Sequence, residues 1–478
     1  MSTHGRTERT PVLHWAYLAW LAWLPLPLGS NRPVWLAVAL AGATLIFITW
    51  LLGWMSGRVD TPRALYRARY MLLGFACILA WQAAQMLLPG SLAPDWVREV
   101  YALAGIESHS IAIDRSAAVE ALWHSVLVLL AFVSTLLLVN GRRQAYRMLW
   151  LLVWLGTLMA ILAGVTVMEG RDREIMGIAL NAGSIPTGSF INRNHFANYL
   201  VLALAAGIGL LIGLQSPTPA ATWRERLRRW SETLLGPKAR LRIFLALMVI
   251  SLVLTRSRMG NTSFFAGLLI AGGLALWLIR GRHRGLALLI SSLLVIDLFI
   301  VGTWFGVEQV IDRIEKTVVV TEDRVMINEP QRMEANREAL DMIGGSPWTG
   351  MGGGAWRVVF PAWRAADQGF FDHAHDDYLE FAVDLGVPAA ILGAVLVLLA
   401  AGRSLLLLAR RRDPLVLGSA FACLMAVAAV GIHATVEFNL HIPANAATFA
   451  ALLALPFLHR RRSRGPGAGP RGKSNPTK

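Results

Sequence analysis

Long apolar runs separated by short polar segments dominate the chain. Twelve of these runs are predicted to be membrane-spanning helices, since roughly 20 apolar residues cross the hydrocarbon core of a bilayer. They cover residues 12–28, 34–54, 71–88, 118–139, 149–167, 195–214, 243–255, 262–279, 286–305, 378–400, 415–434 and 443–458. Apolar residues are continuous within each run and do not alternate with polar ones, which favours helices over a β-barrel. We therefore predict an all-α, polytopic integral membrane protein.

The polar segments between these runs predict an orientation in the membrane. Arginine clusters follow spans two, four, six, eight, ten and twelve, and basic residues concentrate in cytoplasmic loops. Both termini are therefore predicted to be cytoplasmic. The chain then divides into nine spans at 1–305, a periplasmic loop domain with short helices at 306–377, three spans at 378–458 and a disordered basic tail at 459–478.

Composition agrees with this membrane assignment. Hydrophobic residues make up 55% of the chain, and the formal net charge is +15. The orientation rule accounts for this positive charge, so nucleic acid is not expected as a partner, whereas membrane lipids are. Cys77 and Cys423 both fall inside apolar runs, which argues against a disulfide framework or a cysteine metal site.

The segment 370–386 carries the densest group of ionisable residues, directly before span ten. Ionisable groups at such a boundary are costly and usually functional. His373 and His375 stand there among Asp372, Asp376 and Asp377. A histidine beside carboxylates could be a catalytic base, a metal ligand or a structural residue. Because no third histidine ligand is evident, we predict a base and no metal or other cofactor.

Two arginines lie on the predicted outer face, where the orientation rule disfavours them. Arg256 and Arg258 follow span seven and either reach lipid phosphates or bind an anionic ligand. Glu437 and His441, between spans eleven and twelve, are interpreted simply as loop residues. In the long outer loop, residues 330–343 are predicted to form a helix.

A second polar group lies where the preceding loop enters span six. Asn192, Arg193, Asn194 and His195 are consecutive there. A helix cap needs only one such side chain, so the other three favour a functional role.

These features favour an enzyme that acts on a lipid-linked substrate at the outer face. No dependable nucleotide supply exists there, so an activated substrate must arrive on a lipid, and a diphosphate-linked lipid fits the arginines. Two other classes stay open. A transporter would need ionisable groups at mid-membrane, where Asp297 and Asp384 are the main candidates, and a structural assembly factor would tolerate loss of the named residues.

Four segments resemble the bacterial O-antigen ligase and polymerase superfamily, membrane glycosyltransferases that use undecaprenyl-diphosphate-linked glycans. They are Ser-Phe-Ile-Asn-Arg-Asn-His-Phe-Ala-Asn-Tyr-Leu from Ser189, Thr-Arg-Ser-Arg-Met-Gly from Thr255, the loop 332–356, and His375-Asp376 with nine residues between it and Gly386. The chain departs from the ligase signature at Asp376, where an amide is usual, and at Ala389, where Gly, Thr or Tyr is usual.

The resemblance implies a GT-C-like fold and metal-independent glycan transfer with inversion, at the periplasmic face of the inner membrane. The donor would be an undecaprenyl-diphosphate-linked glycan and the acceptor lipid A–core, a growing polysaccharide or a protein. Arg193, Arg256 and Arg258 would hold the diphosphate, and His375 would be the base. Asn192, Asn194, Arg332 and Asp376 would support them. The two departures leave ligase, polymerase and protein O-oligosaccharyltransferase open.

Overall fold

The computed structural model of the chain describes residues 11–93, 95–103, 110–169, 173–175, 178–180, 185–215, 223–224, 236–279, 291, 329–364, 369 and 371–459. The helices are α1 (Pro11–Trp23), α2 (Pro33–Met55), α3 (Arg63–Arg67), α4 (Arg69–Leu87), α5 (Asp95–Leu103), α6 (Arg115–Leu138), α7 (Arg142–Glu169), α8 (Arg193–Gly213), α9 (Pro237–Leu254), α10 (Arg258–Leu278), α11 (Glu329–Gly345), α12 (Trp356–Trp363), α13 (Asp377–Leu385), α14 (Val387–Arg410), α15 (Pro414–His433) and α16 (Pro443–Leu458). Single 3₁₀ turns occur at Leu28–Ser30, Gly90–Leu92 and Asn439–His441. A short antiparallel hairpin pairs β1 (Arg173–Ile175) with β2 (Ile178–Leu180), with Arg173 opposite Leu180.

The prediction of a polytopic helical membrane protein is confirmed. Within the described ranges, eight helices are long and apolar enough to cross a bilayer, namely α2, α4, α6, α7, α8, α10, α14 and α15. They correspond to predicted spans two to six, eight, ten and eleven. Spans seven and twelve correspond to α9 and to the 16-residue α16, and of span nine only residue 291 is described. The count of twelve stays a prediction.

Two predicted spans are interrupted, for local reasons. The first helix ends at Trp23, since Pro25 and Pro27 follow and proline removes a helical hydrogen-bond donor. Hydropathy predicts span ten as one helix, but Gly386 separates α13 from α14 with φ +82° and ψ 156°. A side chain there would begin only 2.6 Å from the Trp348 carbonyl oxygen. The short α13 therefore precedes the membrane-spanning α14 as a separate element.

Helix α8 lies at the centre of the bundle and is buried from His195 to Gly213. It packs against α7, α9, α10, α15 and α16. Its closest approach is to α15, where a Cβ added to Gly209 would lie 2.4 Å from the Gly418 carbonyl oxygen. Small residues permit this direct backbone contact between membrane helices. Because α8 is enclosed on all sides, the residues at its start have a fixed position.

Candidate functional site

The starts of α8 and α10 and the end of α15 meet at one end of the bundle. Asn192 caps α8 by accepting a hydrogen bond from the backbone N–H of Asn194 at 2.8 Å. The first turn of α10 lies beside the first turns of α8, where Gly260 is directly against Ala197. Helix α15 starts beside the end of α8, so its own last turn returns to the start of α8. The predicted outer segments around these residues are thus brought together.

His375 lies in the bend that precedes α13, with a left-handed backbone of φ +54°. A left-handed backbone is uncommon for a residue with a side chain and costs free energy, and such strain concentrates at functional sites. The ring is buried, with the rings of Phe371 and Phe438 edge-on at centroid distances of 5.9 and 5.0 Å. Its Nδ1 lies 3.4 Å from Glu437 Oε2. With its proton on Nδ1, the imidazole donates to Glu437 and leaves the Nε2 lone pair for a substrate.

Glu437 joins the His375 bend to the start of α8. Its side chain is 1% exposed, and its Oε1 accepts a hydrogen bond from Asn194 Nδ2. Oε2 lies 3.7 Å from His195 Nε2, in addition to its contact with His375. Glu437 does lie in the loop between α15 and α16, as the sequence indicates, but it is more than a loop residue because its side chain is buried and paired. Glu437 is the acid that orients His375, a role that the sequence leaves open among the neighbouring aspartates.

Asp376, predicted to support the site, is the N-cap of α13. Its Oδ1 accepts hydrogen bonds from the backbone N–H groups of Tyr378 at 2.9 Å and Leu379 at 3.0 Å. Burial raises the pKa of the Asp376 carboxyl. Asp376 therefore fixes the backbone beside His375 and does not orient the ring.

A second group of histidines and acids lies beside the first. His373 Nδ1 is 2.6 Å from Glu380 Oε1, whose partner oxygen accepts from the Ala374 backbone N–H at 2.9 Å. His441 lies 3.5 Å from Glu380 through Nε2 and 2.9 Å from Asp377 Oδ1 through Nδ1. The interpretation of His441 as a simple loop residue is therefore corrected, as it is for Glu437. The two sequence neighbours His373 and His375 belong to different groups.

His441 and Asp377 of this second group are ionised near neutral pH. Burial opposes protonation of His441, but the carboxylates of Glu380 and Asp377 outweigh it and raise the His441 pKa to about 9. Burial raises the pKa of Asp377 to about 6 against the opposing effect of His441. Between these values the pair is ionised. Burial would also raise the Glu380 pKa, but the imidazoles of His373 and His441 outweigh burial and lower it.

Phe438 separates the two groups. Its ring stacks on His373 at a centroid distance of 4.0 Å, while His195 and His375 meet it edge-on at 4.5 and 5.0 Å. One aromatic side chain therefore sets the spacing of three imidazoles.

A metal ion would have one set of ligands among the described residues. Donor atoms of His373, Glu380 and His441 lie within 4.8 Å of one another, a nitrogen and oxygen set that zinc accepts. This differs from the His373–His375 pair that the sequence suggests, because His375 is turned to Glu437. The donor atoms already contact one another, so an ion would have to replace those contacts.

The glycine-rich segment after α11 packs on α13. Asp384 accepts hydrogen bonds from the backbone N–H groups of Gly354 at 2.7 Å and Trp356 at 3.4 Å. Burial raises the pKa of Asp384, and the nearby Glu380 raises it further. Asp384, considered above for a transporter, thus lies at the end of the bundle in a structural contact. Asp297 lies outside the described residues.

The predicted arginines differ in position and in exposure at this end of the bundle. Arg193 is the first residue of α8 and is partly buried, whereas Arg256 and Arg258 are exposed around the start of α10. Arg256 has a left-handed backbone, with φ +53°. The exposed pair therefore lies around the start of α10, at the same end of the bundle as the buried histidines. Arg332 lies in the first turn of α11, and its side chain is outside the described residues.

Two further arginines that were not predicted as site residues lie at this end of the bundle. Arg32 and Arg357 line a cavity of about 450 Å³ beside His373. Arg32 lies on the predicted outer face, where the orientation rule disfavours an arginine, as it does for Arg256 and Arg258. Arg357 follows the glycine-rich turn at the start of α12 and has no comparable signal.

Residues 243–394 match the family model described as O-antigen ligase. No curated protein sequence matches the chain. The matched segment includes Arg256, Arg258, His375 and Gly386, whereas Arg193 and Glu437 lie outside it. Residues 243–394 thus match an O-antigen ligase domain, and this match supports the resemblance of the chain to the O-antigen ligase superfamily.

Proposed function

We propose that the chain is an O-antigen ligase-type glycosyltransferase of the bacterial inner membrane. It would transfer a glycan from an undecaprenyl-diphosphate carrier to an acceptor hydroxyl at the periplasmic face. The observation that carries this proposal is the pairing of His375 with the buried Glu437, beside the helix starts that bear Arg193, Arg256 and Arg258.

The proposed chemistry is a single displacement with inversion at the anomeric carbon. His375 Nε2 takes the proton of the acceptor hydroxyl while that oxygen attacks the anomeric carbon. The bond from carbon to the diphosphate oxygen breaks, and its electron pair leaves on the diphosphate. The products are the glycosylated acceptor, undecaprenyl diphosphate and an imidazolium that releases its proton to solvent. A base of this kind contributes about 10²–10⁴-fold to the rate.

Electrostatics supports the same assignment. Glu437 faces the imidazole that becomes positive, which stabilises the charge formed in the transition state. Guanidinium groups match the oxygens of a departing diphosphate and stay charged throughout. Three such groups would supply the positive charge that a divalent cation provides in other phosphate-releasing enzymes, so the proposed reaction needs no metal.

The test is transfer in vitro from purified lipid-linked donor. We expect His375→Ala to abolish detectable transfer, whereas His14→Gln, a change at a buried histidine that contacts Leu138 at the opposite end of the bundle, retains it. EDTA should have no effect. Normal folding of both variants is checked by size-exclusion profile and thermal midpoint. Wild-type rates in His375→Ala, or loss of transfer with EDTA, would refute the proposed mechanism.

The acceptor is tested in cells that lack the gene for this chain. Accumulation of lipid-linked polymer is expected for a ligase. Surface glycans reduced to single repeats would identify a polymerase instead, and unglycosylated proteins a protein O-oligosaccharyltransferase.

A further inference from the structure

The cavity beside His373 lies at the same end of the bundle as His375. The first turns of five helices border it, namely α2, α6, α8, α12 and α16. The last turns of α4 and the short helix α13 complete the lining. Phe438 and His195 line it, and both also contact the His375 group. The cavity therefore adjoins the proposed base.

The lining favours a polar ligand that carries no phosphate. Charged side chains from three helices and two loops line the cavity. They are Glu120, Asp372, Glu380, Asp384, Arg32 and Arg357. Four carboxyl groups stand there against two guanidinium groups and the His441 imidazolium, so the lining has no excess of positive charge to hold a diphosphate. Sugar hydroxyls can both donate to carboxylates and accept from guanidinium groups, so a glycan suits this mixed lining.

Three lining side chains carry buried polar atoms without a hydrogen-bond partner among the described residues. One is His195 Nε2, which faces Glu437 at 3.7 Å, and the other two are Gln82 Oε1 and His124 Nε2. Gln82 is 5% exposed. An unpaired buried polar atom costs about 1–3 kcal/mol, so such atoms are normally satisfied by a ligand or by water. Each atom exposes less than 1 Å² of surface, so a hydroxyl-rich ligand in the cavity would satisfy it once the side chain turns toward the cavity.

His373 is held with one ring nitrogen available to the cavity. Its Nδ1 is taken by Glu380 at 2.6 Å, and its ring face is covered by Phe438. The side chain remains 31% exposed and lines the cavity. Glu380 is itself fixed by Ala374 and His441. The remaining nitrogen, Nε2, is therefore the polar atom that His373 can offer to a ligand.

On the basis of the glycan transfer proposed above, we propose that this cavity binds the acceptor glycan and that His373 Nε2 hydrogen-bonds one of its hydroxyls. Glu380, His441 and Asp377 are positioning residues that hold the His373 ring. The donor diphosphate would bind separately, at the arginines around the starts of α8 and α10. His373 is thus an acceptor-binding residue, and His375 is the base.

The kinetic test varies acceptor and donor separately, with purified lipid A–core and purified lipid-linked repeat units as two acceptor probes. For His373→Ala we expect the acceptor KM to rise about three- to tenfold, as for one lost hydrogen bond, while kcat changes less than about threefold and the donor KM is unchanged. His441→Gln should shift the acceptor KM in the same direction by a smaller factor. His373→Gln, whose amide can still hydrogen-bond a hydroxyl, should recover part of the affinity. A loss of kcat as large as in His375→Ala, without a change in acceptor KM, would identify His373 as the base and overturn the proposal.

A binding measurement separates this proposal from the proposed reaction. Delipidated core oligosaccharide and delipidated repeat-unit oligosaccharide are tested by saturation-transfer NMR without donor. At least one should bind the wild type and His375→Ala, and bind His373→Ala more weakly. If the wild type transfers glycan but binding and acceptor KM are unchanged in His373→Ala, the proposed acceptor site is refuted and the proposed reaction is not. If the wild type transfers nothing, the proposed reaction is refuted. The binding result still shows whether the cavity binds the acceptor glycan.

The same samples test the metal alternative by elemental analysis. We expect no stoichiometric zinc or manganese in the wild-type protein. One bound equivalent that disappears in His441→Gln would make His373 a metal ligand and would overturn its assignment to the acceptor.

Discussion

Replacing Glu437 by glutamine tests the pairing on which the proposed base depends. The substitution preserves the size and most of the shape of the side chain but removes its charge. In the wild type the carboxylate is 1% exposed and faces His375 and His195 while it accepts from Asn194. The introduced amide could still accept from Asn194, but it would no longer face the imidazolium with a negative charge.

The magnitude follows from the contact that is lost. A hydrogen bond to a charged group is worth roughly 1.5–3 kcal/mol. The distance of 3.4 Å from His375 Nδ1 is long for the resting state, and catalytic contacts commonly shorten as charge develops. Full loss of this stabilisation lowers kcat about tenfold to a hundredfold. Because Glu437 contacts neither substrate in the proposed arrangement, both KM values should stay near wild type.

The assay is steady-state transfer from purified lipid-linked donor, with kcat and both KM values measured. Glu334→Gln, a change at an exposed glutamate on α11, is the matched control and should behave as wild type. The thermal midpoint shows whether Glu437→Gln folds normally. A correctly folded Glu437→Gln with wild-type kcat would show that the carboxylate does not assist His375.

Four further outcomes are expected. Replacing any one of the three proposed diphosphate-binding arginines by Ala should lower transfer about tenfold to a hundredfold, and Lys should rescue poorly, while Arg240→Ala at the opposite end of α9 should have no effect. Because the His441 pKa is raised to about 9 from 6.5, its stabilising contribution, on the order of 3 kcal/mol, is complete below about pH 6.5 and is lost as pH rises through about 9. The thermal midpoint should therefore fall over that range in the wild type and stay flatter in His441→Gln. Gly386→Ala should destabilise the fold by roughly 1–3 kcal/mol, measured by thermal unfolding, because φ +82° and the nearby Trp348 carbonyl oppose a side chain; an unchanged midpoint would contradict this. A reporter fused after Arg284 should be cytoplasmic and one at Gln331 periplasmic, and the same side for both would disprove the twelve-span orientation.

The sequence by itself determined most of the helices, although α7 and α9 begin about seven and six residues before their predicted starts. Hydropathy is a property of contiguous residues, so eight membrane-spanning helices could be located without knowing their neighbours. Starts of helices are equally local, and the cap at Asn192 lies in the predicted polar group. The helix predicted at 330–343 is α11, Glu329–Gly345. The first span is shorter than hydropathy predicts, because Pro25 stops a helix whose apolar residues continue beyond it.

Only the tertiary structure decided which acid faces which histidine. Glu437 lies 62 positions from His375, and His441 lies 64 positions from Asp377. No local pattern encodes such pairings, which depend on where α15 ends relative to α13. For that reason the sequence leaves open which acid orients His375, and Asp376, the nearest one, caps a helix instead.

The division of His373 from His375 is also a tertiary result. The left-handed backbone at His375 turns the two rings toward different acids, although their spacing of two residues suggests a shared site. Phe438, contributed by a distant loop, then fills the space between them. The residue types at this site are visible in the sequence because ionisable groups at a membrane boundary are rare. Their partners are not, because burial and hydrogen bonding are decided by elements that are far apart along the chain and meet only in the folded bundle.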